Sequence, residues 1–407
     1  MQELIIDRNE NIKTICLVKD GELVEKYYET NYINRIEGNV YIGRVEDVLP
    51  GMQAAFINIG DKRNGLIHFK EVLPKVDITI NNNSNVEVDN KILKQKLVQG
   101  NKLLVQVKKD SDNVKGARLT THISLVGKYI VLMPETTIIT VSQKIEDQTE
   151  KDRLKTIMKK MLPENVGAIL RTSAVCKEDD ELKEDLDELL NRWKEILKVY
   201  EDTNEYPRLV EENNNITKKM LLDIIEKDIE NVYVNNNDDY LEIKDYIPSL
   251  KSKRDIKIIL KENENLLNKY DIEKQIEKSN RRKIWLNCGG FITIDKTEAL
   301  TAIDVNSSKY TGSKNLEDTV LKVNLEATKE IAKQIRLRDI GGIIIIDYID
   351  MKESENKEKV IKEFNKYLKE DRSKTQILGF TKLNLLELTR KHIFSNNQNT
   401  DKKEEME

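Results

Sequence analysis

Two aspartates close apolar runs in the C-terminal third of the sequence. Asp304 follows ALTAI and Asp347 follows GGIIII. A carboxylate at the end of a fully apolar run is costly unless it has a task or a partner. Asn306 comes two residues after Asp304, so on a strand of period two it points to the same face. Two carboxylates with a neutral amide oxygen beside them suit Mg2+, a hard cation that takes few protein oxygens and keeps water. Acidic residues also end strands and cap helices for structural reasons, and one such aspartate alone would be read that way. Two, each after an apolar run, favour a site. Asp350 lies three residues past Asp347 and falls on the opposite face or in a loop.

Two further constellations carry chemistry. Tyr41 and Phe56 lie on short strand patterns with Arg44, Lys62, Arg63 and Lys115 around them. Rings and cations on a small barrel can stack bases and track phosphates. Phe56 also fits a core position, because AAFINI is mostly apolar. Arg171 and Thr172 end the apolar strand GAIL. A guanidinium fork beside a hydroxyl is a phosphate-sized pocket, although exposed arginines at strand ends are ordinary. His68, His122 and His392 show no metal-ligand spacing and read as structural or surface residues. The sequence has no GxSxG elbow, no Walker loop and no GxGxxG after a strand.

The elements that must position these residues can be traced along the chain. Residues 2–33 alternate apolar and polar in three runs, a hairpin or meander pattern. Residues 37–72 give close-spaced strands with Gly turns, a small barrel that resumes at Lys102 after a polar, Asn-rich insert over 73–95. Residues 128–175 hold strands such as KYIVLM and GAILRTSAV around a helix near 149–161. Residues 178–203 form a charged helix with Leu182, Leu186, Leu189, Leu190, Trp193 and Leu197 on one stripe. Residues 213–280 mix helix and strand, with Tyr233 and Tyr240 expected in short strands. The strands GGFITID and ALTAIDV then precede a helix from about Leu316 to Arg338, whose stripe is Val320, Val323, Ala327, Ile331 and Ile335. GGIIII follows as a buried strand. A strand–helix–strand unit of this kind puts Asp304 and Asp347 at the carboxyl edge of one parallel sheet. The pairs Gly289-Gly290 and Gly341-Gly342 serve the turns before their strands.

Composition bounds the rest. The chain has 407 residues, with Lys+Arg 68 against Asp+Glu 72 and a formal net charge of −4. Nucleic-acid binding would therefore need local positive charge. No apolar run is long enough to span a bilayer, and the start MQELIIDRNENIK reads as neither signal nor transit peptide. Cys16, Cys176 and Cys288 are far apart with no CxxC pair, which fits a reducing cytoplasm.

The long segments GGFITIDKTEALTAIDVNSS, NLEATKEIAKQIRLRDIGGIIIIDYIDM and DRSKTQ resemble the ribonuclease E/G family. GNVYIGRVEDVLPGMQAAFINIG, KGARLTTHISLVGKYIVLMP and GAILRTSAV extend the likeness over nearly the whole chain to about residue 395. The resemblance implies an α/β multidomain fold. A discontinuous RNase H-like domain would occupy 1–35 and 216–280. An inserted OB-fold barrel of the ribosomal-protein S-one type would take 36–126, and a 5′-sensor region 127–215. A DNase I-like α/β catalytic domain over 281–395 and a disordered tail over 396–407 complete the expectation.

The resemblance also implies roles. The metal-binding aspartates fall on Asp304 and Asp347 and the assisting asparagine on Asn306. The RNA contacts fall on Phe56 and Lys115 of the barrel and on Arg372 near the catalytic site. The 5′-monophosphate pocket falls on Arg171 and Thr172, with backbone help from Gly127 and Val131. The activity would be Mg2+-dependent endonucleolytic hydrolysis of single-stranded RNA, stimulated by a 5′-monophosphate, in rRNA processing and mRNA decay in the cytoplasm. The sequence departs from the family pattern at Leu66, where a second aromatic is expected, and at Gln143-Lys144, where a basic pair is expected. The CPxCxG zinc-link is absent, so zinc is not expected and a homodimer would need other contacts. With no small C-terminal domain or scaffold, the short G-like type is the expectation. The alternative reading is a non-catalytic RNA-binding or ribosome-associated protein.

Overall fold

The computed structural model describes residues 2–30, 36–72, 93, 95–111, 115–213, 216–224, 229–249, 256–307 and 316–392. The expected Asn-rich insert falls outside them over 73–92 and 94, and so does the expected tail at 396–407. The chain divides into two units. One comprises 1–32, 227–248 and 253–407, and the other 33–226 and 249–252.

The first unit begins as an antiparallel meander of β1 (Gln2–Asn9), β2 (Ile12–Lys19) and β3 (Glu22–Thr30). Its two tight turns need left-handed backbone, taken by Glu10 at φ 48° and by Asp20 with Gly21 at φ 51° and 80°.

The second unit holds two sheets. β4 (Val40–Leu49), β5 (Ala54–Asn58), β6 (Gly65–His68), β7 (Lys102–Lys109) and β8 (Arg118–Thr120) close into a five-stranded barrel in the order β4-β5-β6-β8-β7-β4. β6 and β8 pair parallel and every other pair in the ring is antiparallel. Val45, Ile57, Ile67, Val105 and Leu119 fill its interior. The second sheet follows, from β9 (Leu125–Val126), β10 (Ile130–Pro134), β11 (Ile139–Val141) and β12 (Val166–Leu170) in the order β11-β12-β10-β9. Helix α1 (Gln148–Met161) comes between β11 and β12. Helix α2 (Asp179–Asp202) has a capping box of Glu178 and Glu181 and an acidic first turn, both favourable at a helix N-terminus. It buries Leu182, Leu186, Leu189 and Ile196; Leu190, Trp193 and Leu197 are only partly covered. β13 (Arg208–Glu211) adds to the barrel beside β4, and helix α3 (Ile216–Ile224) ends the unit's described part.

The first unit then resumes. β14 (Ile229–Val234) and β15 (Lys257–Leu260) pair parallel on β1, giving the order β15-β14-β1-β2-β3. Between them runs helix α4 (Asn237–Ser249), which contains Tyr240. Tyr240 was expected in a strand, and the difference has a local cause. The Asn236 side chain accepts from the N–H groups of Asp238 and Asp239 at 3.0 and 3.2 Å and starts a helix there. Asp239 is buried and accepts from Arg8 at 2.7 Å and from Lys13 at 3.0 Å, which fixes the helix against β1 and β2. Short helices α5 (Leu266–Lys269) and α6 (Ile272–Asn280) follow.

The last sheet comprises β16 (Lys283–Trp285), β17 (Phe291–Lys296), β18 (Leu300–Asn306), β19 (Gly342–Asp347), β20 (Thr375–Phe380) and β21 (Leu385–Arg390). The order is β16-β17-β18-β19-β21-β20. Helix α7 (Leu316–Leu337) joins β18 to β19, and α8 (Ser354–Leu368) precedes β20. Both helices pack on one face. Val323, Ala327, Ile331 and Ile335 of α7 are fully buried against Ile303, Ile344 and Ile346. Each large side chain so buried contributes about 1.5–3 kcal/mol. On the other face Ala302, Asp304, Ile343 and Asp347 are exposed.

Arg372 has a structural partner in this fold. The guanidinium is 8% exposed and donates to Glu25 at 3.0 and 2.6 Å and to the Tyr27 hydroxyl at 3.1 Å. Its neighbour Asp371 pairs with buried Arg390, which sits opposite Gly342 in the β19–β21 register, whereas Asp347 sits opposite Leu385. Five residues of strand, roughly 16 Å, separate the two ends. Arg372 therefore braces the end of the sheet away from the aspartates. Burial alone would push the Glu25 carboxyl up, but Arg372, Arg336 and the Tyr27 hydroxyl outweigh it and hold it below its ordinary value. A carboxyl held low contributes stability that is full above its ordinary pKa of about 4.3 and is lost as pH falls through the depressed value. Arg372→Ala leaves Glu25 buried and uncompensated, so denaturant unfolding should show a loss of about 3–5 kcal/mol. Glu25→Met with Arg372→Leu should recover most of it. A stable Arg372→Ala protein with weakened RNA binding would instead restore the expected contact role.

Candidate active site

On β18, Thr301, Ile303 and Val305 face the helices, while Ala302, Asp304 and Asn306 face outward. On β19, Ile344 and Ile346 are buried and Ile343 and Asp347 are exposed. The strands pair parallel with Asp304 directly opposite Asp347. Neighbouring strands are about 4.8 Å apart, so the two carboxylates share one site on one face. Burial, then the charges of Asp304 and Asp350, raise the Asp347 carboxyl above its ordinary value. Asp350 itself lies in the loop after β19, where its carboxylate accepts from the Asn384 amide at 3.4 Å.

Side chains absent from the sequence expectation fix this loop. Asn324 is fully buried on α7; it donates to the Ile349 carbonyl at 2.8 Å and accepts from the Ile349 N–H at 3.2 Å. Tyr348 is buried with its hydroxyl 2.8 Å from Thr328. Glu317, in the first turn of α7, accepts from the N–H groups of Lys352 and Glu353 at 3.0 and 3.3 Å. An Asn directly after Val323 and three residues before Ala327, both on the apolar stripe of the helix, was the available sequence signal for the first of these.

Two carboxylates paired on one face, with the Asp347 carboxyl raised by burial and by its acidic neighbours, are a fit for a divalent cation, which would relieve their repulsion. Among the described residues no group of three or more His, Cys, Asp or Glu side chains could hold a metal ion. The donor set is thus two carboxylates with Asn306 on the same face, which matches an ion that keeps most of its water.

On the barrel, Phe56 is partly exposed and stands opposite Leu66, which stands opposite Arg118, which stands opposite Lys109. This gives one cross-strand row of ring, aliphatic side chain and two cations. Arg118 and Lys109 were not singled out from sequence, since only the strand register brings them to Phe56. Lys115 is exposed at the start of the turn into β8. The next residue is Gly116, where an added Cβ would lie 2.0 Å from the Asn64 carbonyl oxygen. Only glycine fits there, and it presses the Lys115 segment against the Lys62–Gly65 turn.

The second sheet brings Arg171, Gly127 and Lys128 together. The Arg171 guanidinium donates to the carbonyls of Gly127 and Lys128 at 2.7 and 3.3 Å and pairs with Asp223 of α3. The Gly127 N–H donates to the Ile130 carbonyl at 2.8 Å, and Val131 is mid-strand, paired on both sides. Their expected backbone help to a phosphate is therefore engaged within the sheet here. Asp185 of α2 accepts from the N–H groups of Lys128, Tyr129 and Ile130 at 2.8–2.9 Å. Burial pushes its carboxyl up against the lowering effect of those three donors. A Cβ at Gly127 would lie 2.7 Å from an Asp185 oxygen, so a side chain there would force Asp185 off these donors. Thr172 is exposed at the start of a single 3-10 turn.

The ribonuclease E/G family model matches residues 124–393, which include both aspartates. The chain is 34% identical to ribonuclease G of Haemophilus influenzae over 392 residues, covering 96% of this chain and 79% of that relative. It is 36% identical to the putative ribonuclease E of Buchnera aphidicola subsp. Baizongia pistaciae over 398 residues, covering 96% and 95%. Against ribonuclease E of a Nostoc species it is 35% identical over 359 residues, 87% of this chain and 51% of the relative. The matched segments run through all three constellations, and the chain is an endoribonuclease of the ribonuclease E/G family.

Proposed function

We propose that the chain cleaves single-stranded RNA in a magnesium-dependent reaction at Asp304 and Asp347, guided by the 5′ end of the substrate. The in-register pairing of Asp304 with Asp347 carries this reading. In fold terms the β15-β14-β1-β2-β3 sheet corresponds to an RNase H-like domain and the barrel to an OB fold. The sheet of β9 to β12 corresponds to a 5′-sensor region, and the last sheet to a DNase I-like catalytic domain.

Asp304 and Asp347 would hold the cation between them, with Asn306 orienting a coordinated water or a phosphate oxygen. Magnesium bound there supplies Lewis-acid polarisation of the phosphodiester and a more acidic water. The sheet fixes both carboxylates on rigid strands, and Asn324 fixes the loop that follows Asp347. Hydrolysis then leaves a 5′-phosphate and a 3′-hydroxyl. Phe56 stacks a base while Lys115, Arg118 and Lys109 neutralise phosphates beside it. Arg171 and Thr172 take a terminal 5′-monophosphate, and Asp223 is the carboxylate that this phosphate replaces on the guanidinium. Such docking orients the substrate and is not part of the chemical step. Ribosomal-RNA precursors and messages in the cytoplasm are the natural substrates of this reading.

Two outcomes test it. Asp304→Ala and Asp347→Ala should each lower cleavage of a short single-stranded RNA by roughly 10²–10³-fold, the scale of losing an electrostatic stabiliser of the transition state. Wild-type cutting should stop in EDTA, and unchanged rates in either variant would sink the assignment. The second test compares the same RNA with a 5′-monophosphate and a 5′-hydroxyl. Arg171→Ala should remove a preference of about 10-fold or more for the monophosphate, the worth of one charge-assisted hydrogen bond. Asp223→Asn should increase that preference, and a decrease would show that Asp223 supports the pocket instead of competing for it.

A further inference from the structure

On the open face of the last sheet, two cross-strand rows run side by side. One is Lys283–Thr293–Asp304–Asp347 and the other is Trp285–Phe291–Asn306. Trp285 is 58% exposed on the edge strand β16. It meets Phe291 edge-to-face with ring centroids 5.3 Å apart. The Lys283 ammonium stands 4.3 Å from the Trp285 ring centroid and 3.5 Å from that of Phe291. β16 lies two strand spacings from β18, about 10 Å.

From this juxtaposition we infer that Trp285, Phe291 and Lys283 form a nucleobase-stacking subsite for the residue flanking the phosphate held at Asp304 and Asp347. The inference rests on the cleavage reading above and adds to it the means by which the catalytic sheet grips its substrate. Phe291 supports the indole from one side, so the outer face of the indole is the one offered to a base. Every base has a π-face, so the subsite is tolerant of sequence and demands only an unpaired, splayed nucleotide. A cation held over rings at an exposed site is weakly bound and is exchanged readily for a backbone phosphate. The subsite therefore favours single strands at the cut itself, independently of the barrel and of the 5′ end.

The chain has two tryptophans, Trp193 and Trp285. In a Trp193→Phe background, emission reports Trp285 alone. Titration with a short single-stranded RNA in EDTA should quench that emission, whereas polyphosphate at equal ionic strength should not. Trp285→Ala should raise KM by roughly 5- to 150-fold, the range of one base–aromatic stack, with kcat little changed. Phe291→Leu should have a smaller effect in the same direction. An RNA abasic beside the scissile phosphate should be cut equally by wild type and Trp285→Ala. Cleavage by wild type with no quenching, or an unchanged KM in Trp285→Ala, overturns the subsite and leaves the catalytic assignment standing. If wild type does not cut, saturable base-dependent quenching still supports the subsite, and its absence overturns it.

Discussion

Two carboxylates of like sign stand opposite one another at the ends of two parallel strands, and the surrounding structure has to keep them there. Their repulsion, added to partial burial, raises the Asp347 carboxyl above its ordinary value. A flexible loop would relieve the strain by letting one side chain swing away. A paired strand cannot, because a one-residue slip would turn Ile344 and Ile346 outward and carry the Asp347 carboxylate to the helix-covered face. The isoleucines packed on α7 are therefore what hold the aspartates together. At the far end of β19 and β21, Arg390 is fully buried between Asp339 and Asp371, at 2.7 Å from each. Losing Arg390 would leave two buried carboxylates without their shared cation, so this triad pins the register from the other side.

The aspartate pair was legible in the sequence because the rules that produce it are local and topological. Apolar runs of strand length, a 22-residue amphipathic helix between them and the handedness of the crossover suffice to bring Asp304 beside Asp347. The pairing of Arg372 was not legible, for the opposite reason. Proximity along the chain to the catalytic segment says nothing about which carboxylate a guanidinium will meet, and Glu25 lies 347 residues away. Tyr240 was expected in a short strand, where the Asn236 cap decides in favour of helix. Trp285 sits on a three-residue edge strand, too short to show a period, so its place in the row beside Asn306 is visible only in the register. Arg118 and Lys109 escaped notice in the same way, since closure of the barrel is what aligns them with Phe56.

Charge is arranged differently at the three constellations. Along the barrel row the cations follow one another on the surface beside a ring, a pattern that suits a polyanion with stacked bases. At Arg171 the guanidinium is already engaged by two carbonyls and the Asp223 carboxylate. A ligand there gains orientation from a preset fork but must displace an internal partner. That subtracts from affinity while preserving selectivity for a group with more negative charge than one carboxylate. A terminal phosphate monoester meets that condition, and an internal phosphodiester with its single charge does not.

At the aspartates the imbalance runs the other way. Asp347 has Asp304 and Asp350 near it, both of its own sign. Such a site gains on taking up a cation, since the cation removes a repulsion as well as adding an attraction. The same negative field opposes the approach of RNA, whose backbone is also anionic. A substrate can reach this sheet only if contacts outside the aspartates outweigh that repulsion until the cation is shared with the scissile phosphate. The neighbouring row of Trp285 and Phe291 with Lys283 answers that requirement in two ways. Stacking is indifferent to charge, and the ammonium offsets part of the field one strand pair away. On the reading proposed above, the acidic pair and the aromatic row would be complementary parts of one surface: the first would take the cation, and the second would make an anionic substrate tolerable beside it.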